Sequence, residues 1–170
     1  MKVTGLAPSM GAEITNIDLS TCFAPAGGID ATFAAEIRSV WLDYQLVVIR
    51  AQSITPEQQL RFAEAFGEPD IYPFLRGLDG FPMITEVLKK ESEKVNFGGV
   101  WHSDTTYQPR PPMATVLHAK ELPPLGGDTL FANQYEAYAQ LSDGLKSCLE
   151  ALDGVNVAGK KQVSATRSER

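Results

Sequence analysis

Proline excludes an α-helix from the middle of this chain. Three of the four residues at positions 109–112 are proline, which lacks a backbone N–H and clashes with the preceding helical turn. The segments at 83–88, 113–119 and 128–131 are short, apolar and bounded by turn-forming residues, and this pattern predicts strands. The centre of the chain is therefore expected to be built from strands.

Helices are predicted on both sides of this centre. Apolar residues recur at helical spacing over 31–44, and Thr55 with Gln58 has the sequence of a capping box that opens a second helix. Asn133 opens a further helix. Additional strands are predicted at 2–6, at 12–17 and at 46–49, the last with an apolar run expected to be buried on both faces. The order of elements predicts a mainly β fold with flanking helices, of the jelly-roll type, rather than an alternating parallel sheet.

The segment Trp101-His102-Ser103-Asp104 places an imidazole and a carboxylate two residues apart. On an extended backbone both side chains point to the same side, with Cα atoms about 6.6 Å apart, whereas on a helix they would diverge. One nitrogen and one oxygen donor make up two thirds of the 2-His-1-carboxylate face that holds non-haem Fe(II). The spacing predicts a metal-binding pair; the alternative is a histidine that pairs with a carboxylate for structural reasons.

Charge and composition restrict the partners of the chain. Its 170 residues suffice for one domain, and a formal net charge of -6 without a basic block argues against nucleic acid. The chain contains no apolar run of about 18 residues, so no membrane span is predicted, and its N-terminal residues lack the apolar core of a secretory signal. Cys22 and Cys148 are far apart and are predicted to be free thiols in a reducing cytoplasm. A homo-oligomer is left open as the assembly.

An ordered series of short motifs surrounds the predicted metal pair. Downstream lie Arg110-Pro111-Pro112, Glu121-Leu122-Pro123-Pro124 and Gly126-Gly127-Asp128-Thr129-Leu130, and upstream lie Ile54-Thr55-Pro56-Glu57-Gln58 and Phe66-Gly67-Glu68. This series resembles the taurine dioxygenase/TfdA family of Fe(II)- and 2-oxoglutarate-dependent dioxygenases. The resemblance extends over residues 5–153 and is most specific from Trp101 to Leu130.

The resemblance implies a double-stranded β-helix, which is a jelly-roll variant. It implies that His102 and Asp104 are two of three protein ligands to Fe(II), and that the Thr129 hydroxyl binds a carboxylate of the cosubstrate 2-oxoglutarate. The Gly126-Gly127 turn before Thr129 would let an anion approach the backbone closely. The implied reaction is hydroxylation of a small, anionic organic substrate by O₂, with release of succinate and CO₂.

The family's third ligand is a second histidine, followed by an arginine that pairs with 2-oxoglutarate, and both lie beyond the matching stretch. The chain ends at Arg170 before either. We therefore expect a C-terminally truncated chain with an incomplete β-helix. Residues 1–158 would be the N-terminal part of a TauD/TfdA-like dioxygenase domain, and residues 159–170 a polar tail or unfinished loop. The remaining histidine, His118, lies where the family places no ligand.

Three side chains are candidates for binding the substrate. Asp70 stands where sulfonate-using members of the family carry a histidine, and its carboxylate would repel a sulfonate. Tyr72 is predicted to line an apolar pocket, and Arg110 to contact an anionic substrate. Two other functions stay open: a catalytically inactive remnant that binds metal weakly or associates with a partner chain, and a metal-dependent hydrolase or cupin-like binding module.

Overall fold

The computed structural model describes residues 1–23, 27–92 and 98–158, and its chain divides into two compact units. Unit 1 comprises Met1–Gly67 and Leu117–Leu152, and unit 2 comprises Glu68–Val116 and Asp153–Arg170. The strands of unit 1 are β1 (Lys2–Gly5), β2 (Ala12–Thr15) and β3 (Val47–Ile49), and its α-helices are α1 (Ala31–Tyr44), α2 (Pro56–Glu64), α3 (Gln134–Ala139) and α4 (Asp143–Glu150). Unit 2 contains the strands β4 (Gly77–Leu78) and β5 (Phe81–Thr85). The predicted tail at 159–170 lies outside the described residues.

The sheet of unit 1 has the strand order β1-β2-β3. β1 and β2 form an antiparallel hairpin in which Lys2 is opposite Thr15, whereas β2 and β3 are parallel, with Ala12 opposite Val47. Helix α1 lies between β2 and β3 in the chain and returns it to the starting end of the sheet, as a parallel pair requires. The sequence did not predict this parallel pair. The 46–49 run, expected to be buried on both faces, is half-buried as β3.

The helices begin and end at the residues that favour caps. The side chain of Asp30 accepts a hydrogen bond from the amide of Phe33 at the start of α1, and Gln45, with φ of 64°, ends it in the left-handed conformation. Thr55 and Gln58 form both bonds of the predicted capping box at α2. The core of unit 1 is small, and its buried side chains are Ala12, Ile14, Leu19, Ile37, Ile54 and Phe62.

Gln52 connects the loop after β3 to the turn that contains Leu19. Its Oε1 accepts a hydrogen bond from the Leu19 amide at 2.8 Å, and its Nε2 donates to the carbonyls of Ile17 and Arg50 at 3.1 Å and 2.7 Å. One amide side chain thus satisfies three backbone groups of irregular segments that have no ladder of their own. The same loop accepts bonds from His118 and Lys120, which hold the segment after residue 116.

Two predicted strands do not form in the described residues. The segments at 113–119 and 128–131 are irregular, and no described strand pairs with either. An apolar pattern reports a tendency to be buried, but a strand also needs a neighbour for its backbone N–H and C=O groups. The strand predicted at 83–88 begins two residues earlier in the chain, as β5 (Phe81–Thr85), and forms a hairpin with β4. A side chain at Gly77 would overlap the Pro82 carbonyl oxygen in that hairpin.

The two cysteines are free thiols, as predicted. Burial raises the pKa of the Cys22 thiol, and the nearby Asp18 carboxylate adds to the effect. Hydrogen bonds from the hydroxyl and amide of Ser20 lower the pKa of Asp18, so its cap stabilises the turn at neutral pH and is lost as the pH falls through that lowered value. The longest helix in the described part of the chain has 14 residues, too few to cross a bilayer, which takes about 20.

Replacing Gln52 by Ala is expected to lower the free energy of unfolding by about 1–3 kcal/mol, because it leaves partly buried backbone groups without partners. Urea denaturation measures the change. The matched control is Gln134→Ala at an exposed position that begins α3, for which we expect less than about 0.5 kcal/mol. Equal losses for the two variants would show that the three Gln52 hydrogen bonds do not hold the fold.

Candidate metal centre

The predicted metal pair lies in an irregular segment of unit 2 that leads into a turn. Residues 101–103 have no regular structure, and the turn begins at Asp104. Thr105 adopts a positive φ of 50°, and the amide of Gln108 donates to its carbonyl at 2.9 Å. The segment is therefore not part of a regular strand, but the backbone between His102 and Asp104 is not helical, so their side chains can turn to one side.

His102 and Asp104 converge. Nε2 of His102 lies 3.1 Å from Oδ1 of Asp104. Nδ1 of the same ring lies 2.7 Å from the carbonyl oxygen of Val100, which can only accept, so Nδ1 carries a proton. In the neutral imidazole Nε2 is then an acceptor that faces a second acceptor, the carboxylate oxygen. Such a pair of lone pairs is stabilised by a cation between them, either a proton or a metal ion.

The separation of these two atoms fits adjacent ligands of one metal ion. Bonds of about 2.1 Å from a metal to two donors at a right angle place the donors about 3 Å apart. Both side chains are half-exposed, at 47% for His102 and 55% for Asp104, so both are open to an ion from solvent. Among the described residues no group of three His, Cys, Asp or Glu side chains could hold a metal ion. The described part of the chain thus offers two ligands.

Thr115 contacts the other oxygen of the Asp104 carboxylate. Its hydroxyl donates to Oδ2 at 2.9 Å. Thr115 was not predicted from the sequence, because it is eleven positions from Asp104 and lies in a segment that was predicted to be a strand. No local pattern in the sequence marks a hydroxyl that reaches back across the Pro111-Pro112 stretch.

The loop that carries the candidate substrate residues is tied to the turn after Asp104. Asp70 accepts one hydrogen bond from the Ile71 amide at 2.8 Å and another from the Gln108 side chain at 3.1 Å. Phe74 contacts the rings of Tyr72 and Tyr107 edge to face, with centroids 5.6 Å and 5.8 Å apart. Asp70 and Tyr72 therefore both connect, through one neighbour each, to the residues that follow the metal pair.

Gln108 and Tyr107 were not singled out from the sequence. The Tyr107 hydroxyl is buried and has no hydrogen-bond partner among the described residues. An aromatic residue in a proline-rich turn is a weak signal in one sequence, and only the contact with Phe74 shows that Tyr107 packs against the loop.

The structure also locates Arg110 in unit 2 and Thr129 and His118 in unit 1. Arg110 is exposed in unit 2 and pairs with no carboxylate of the described residues. Thr129 is exposed in unit 1, two residues after Gly127, and Gly126 and Gly127 adopt positive φ values of 76° and 75°. His118, also in unit 1, places Nε2 3.3 Å from the Gln52 carbonyl, while its Nδ1 is buried without a described partner.

Comparison with known proteins identifies relatives across the whole chain. The family model described as "Taurine catabolism dioxygenase TauD, TfdA family" matches residues 2–170. An alkylsulfatase of Acinetobacter baylyi is 31% identical over 91% of this chain and 45% of its own length. A (S)-phenoxypropionate/alpha-ketoglutarate-dioxygenase of Sphingobium herbicidovorans is 31% identical over 88% of this chain and 51% of its own length. The chain spans about half the length of the curated relatives it matches.

Solved structures also resemble this chain over about half of their own length. A putative alpha-ketoglutarate-dependent taurine dioxygenase from Burkholderia xenovorans superposes with a TM-score of 0.72 and 33% identity, over 88% of this chain and 51% of that one. AAD-2 in complex with Mn(II) and N-oxalylglycine superposes with a TM-score of 0.60 and 25% identity, over 88% of this chain and 50% of that one. The fold of the described residues is thus shared with part of each neighbour.

Removing either side chain of the pair is expected to weaken Fe(II) binding at least about 100-fold. Losing a metal ligand costs more binding free energy than losing a hydrogen-bond partner that orients a ligand. The variants are His102→Ala and Asp104→Ala, measured by anaerobic calorimetric titration with Fe(II).

His118→Ala is the matched control for the loss of an imidazole. It breaks a bond to the Gln52 carbonyl in unit 1, and we expect Fe(II) affinity within about twofold of the wild type. Unchanged binding by His102→Ala would show that the pair is not the metal site, and a tenfold loss in His118→Ala would show that His118 had been wrongly excluded as a ligand.

Proposed function

This chain belongs to the taurine catabolism dioxygenase TauD/TfdA family, and we propose that it forms the iron-binding part of an Fe(II)- and 2-oxoglutarate-dependent dioxygenase. The proposed reaction hydroxylates a small, anionic organic substrate with release of succinate and CO₂. The observation that carries the proposal is the 3.1 Å approach of the His102 and Asp104 acceptor atoms. The family match over residues 2–170 supports it independently.

We further propose that residues 1–158 are the N-terminal part of a jelly-roll domain of this family. Large apolar side chains in the last third of the described chain support this arrangement, because such side chains are normally buried. Leu122, Leu125, Leu130 and Val155 are between 71% and 90% exposed. The segments at 113–119 and 128–131 keep their apolar pattern without a described strand partner, as expected of strands whose sheet is incomplete in the described residues.

Bound Fe(II) and 2-oxoglutarate would supply the oxidising chemistry, in which O₂ oxidatively decarboxylates the cosubstrate and hydroxylates a C–H bond of the substrate. The residues of this chain would hold and orient these groups. Nε2 of His102 and Oδ1 of Asp104 would ligate the iron. The hydroxyl of Thr129, held after the Gly126-Gly127 turn, would donate to a carboxylate of 2-oxoglutarate.

Two features of unit 2 bear on the substrate. Asp70 places a carboxylate beside the turn after the metal pair and is held there by Gln108, so a sulfonate group at that position would be repelled. The aromatic cluster of Tyr72, Phe74 and Tyr107 offers an apolar surface for the body of an organic molecule. We propose that Arg110, which is exposed, contacts the anionic group.

The other partners follow from the reaction and the composition. O₂ and a small molecule are the proposed partners, and the net charge of -6 argues against nucleic acid. Free Cys22 and Cys148 support a cytoplasmic location.

A second candidate function is a metal-binding remnant without turnover. It is favoured by one observation: the described residues supply two ligands and no third. Weak iron binding without any consumption of 2-oxoglutarate would distinguish it from the dioxygenase.

Succinate release by the protein as its gene encodes it is expected to require both Fe(II) and 2-oxoglutarate. The measurement is chromatographic quantification of succinate, with parallel reactions that lack one component or contain a chelator. Asp104→Ala is the inactive control. Turnover of a substrate that continues without 2-oxoglutarate would favour the hydrolase instead, and metal binding without succinate would favour the remnant.

Replacing Thr129 by Val is expected to raise the KM for 2-oxoglutarate by about 10-fold or more with a smaller effect on kcat, because a hydrogen bond to a charged group contributes about 1.5–3 kcal/mol. Thr129→Ser keeps the hydroxyl and is expected to retain most of the affinity. An unchanged KM in Thr129→Val would exclude this residue from the cosubstrate site.

A further inference from the structure

We propose that Thr115 is a positioning residue for the metal-binding carboxylate of Asp104. The inference rests on the proposed function, since it assumes that Asp104 binds a metal ion, and it adds a residue that orients this ligand.

The two oxygens of the Asp104 carboxylate have different neighbours. Oδ1 lies 3.1 Å from Nε2 of His102, and Oδ2 accepts the hydroxyl proton of Thr115 at 2.9 Å. An ionised carboxylate can only accept, so the hydroxyl is necessarily the donor. Thr115 therefore occupies the oxygen that faces away from the histidine and leaves the other oxygen for a metal ion.

Asp104 needs such a restraint because its side chain is 55% exposed. A carboxylate on an exposed turn can rotate about its last torsion angle, which has broad minima, and each rotation would exchange or tilt the oxygen that faces His102. The hydrogen bond from Thr115 restricts this rotation. Metal-ligating carboxylates are commonly held by hydrogen bonds of this kind, and their loss typically weakens metal binding 10–100-fold.

The histidine of the pair is held in the same way. Its Nδ1, on the side away from Asp104, donates to the Val100 carbonyl. Each member of the pair is thus anchored through its far atom, and the two near atoms remain for the ion. Thr115 itself follows Pro111-Pro112, whose fixed φ angles limit the conformations of the chain that presents the hydroxyl.

A threonine in the turn that begins at Asp104 provides a matched control. The hydroxyl of Thr106 donates to Oδ1 of Asn156 at 3.2 Å, and that bond holds the turn without touching either ligand. Replacement of either threonine by valine removes one hydroxyl and keeps the side-chain shape. A general loosening of this region would affect both variants, whereas Asp104 loses a hydrogen bond only in the Thr115 variant.

The experiment is a titration of the protein with Mn(II) alone, followed by the electron paramagnetic resonance signal of the free ion, which also detects weak binding. Thr115→Val is expected to weaken Mn(II) binding by about 10-fold. Thr106→Val and the conservative Thr115→Ser are expected to bind within about twofold of the wild type. Circular dichroism of each variant confirms that the fold is retained.

Three results would overturn the inference while leaving the metal site intact: wild-type affinity in Thr115→Val, equal losses in Thr115→Val and Thr106→Val, or a Thr115→Ser variant as weak as the valine. Failure of the proposed function has a different signature. In that case the wild type does not bind Mn(II), or His102→Ala binds it as well as the wild type, and the role of Thr115 falls with it.

Discussion

The fold of unit 1 depends on the two-sided pairing of strand β2. This strand forms antiparallel bonds with β1 and parallel bonds with β3, and it contributes Ala12 and Ile14, which are 0% and 1% exposed. Because side chains alternate along a strand, Glu13 points to the opposite face, where Arg50 pairs with it. A shift of the register by one residue would exchange the buried apolar and the charged set, so the pairing is strongly specified.

The irregular segments are attached to this sheet by side chains rather than by ladders. Gln52 bonds to three backbone groups around the end of β3, and His118 donates to the Gln52 carbonyl. The position of His118 is explained by this contact, which uses one ring nitrogen to hold the chain after residue 116. In unit 2 the same principle holds the turn after Asp104, where Gln108 donates to Asp70 and Thr106 to Asn156.

Local signals in the sequence predicted the helices and the convergence of His102 and Asp104. The capping box of Thr55 and Gln58 acts within one turn, and Asn133 accepts hydrogen bonds from the amides of Tyr135 and Glu136 at the start of α3. His102 and Asp104 need only a non-helical backbone to converge. The parallel pair of β2 and β3, and the bond between Thr115 and Asp104, join residues that no short pattern relates. The strands predicted at 113–119 and 128–131 do not form, because a local apolar pattern cannot supply the partner strand that must come from another part of the chain.

The anchoring of the far atoms supports the proposal that His102 and Asp104 form a metal site rather than a simple ion pair. A proton on Nε2 would also satisfy the two facing acceptors, and a half-exposed pair of that kind contributes little and tolerates rotation of both side chains. A metal ion is more demanding, because its ligands must hold their orientation to within a fraction of an ångström. Val100 fixes the ring through Nδ1 and Thr115 fixes the carboxylate through Oδ2. Restraints on the two atoms that point away from the pair are what we expect of a site that presents two donors to one ion.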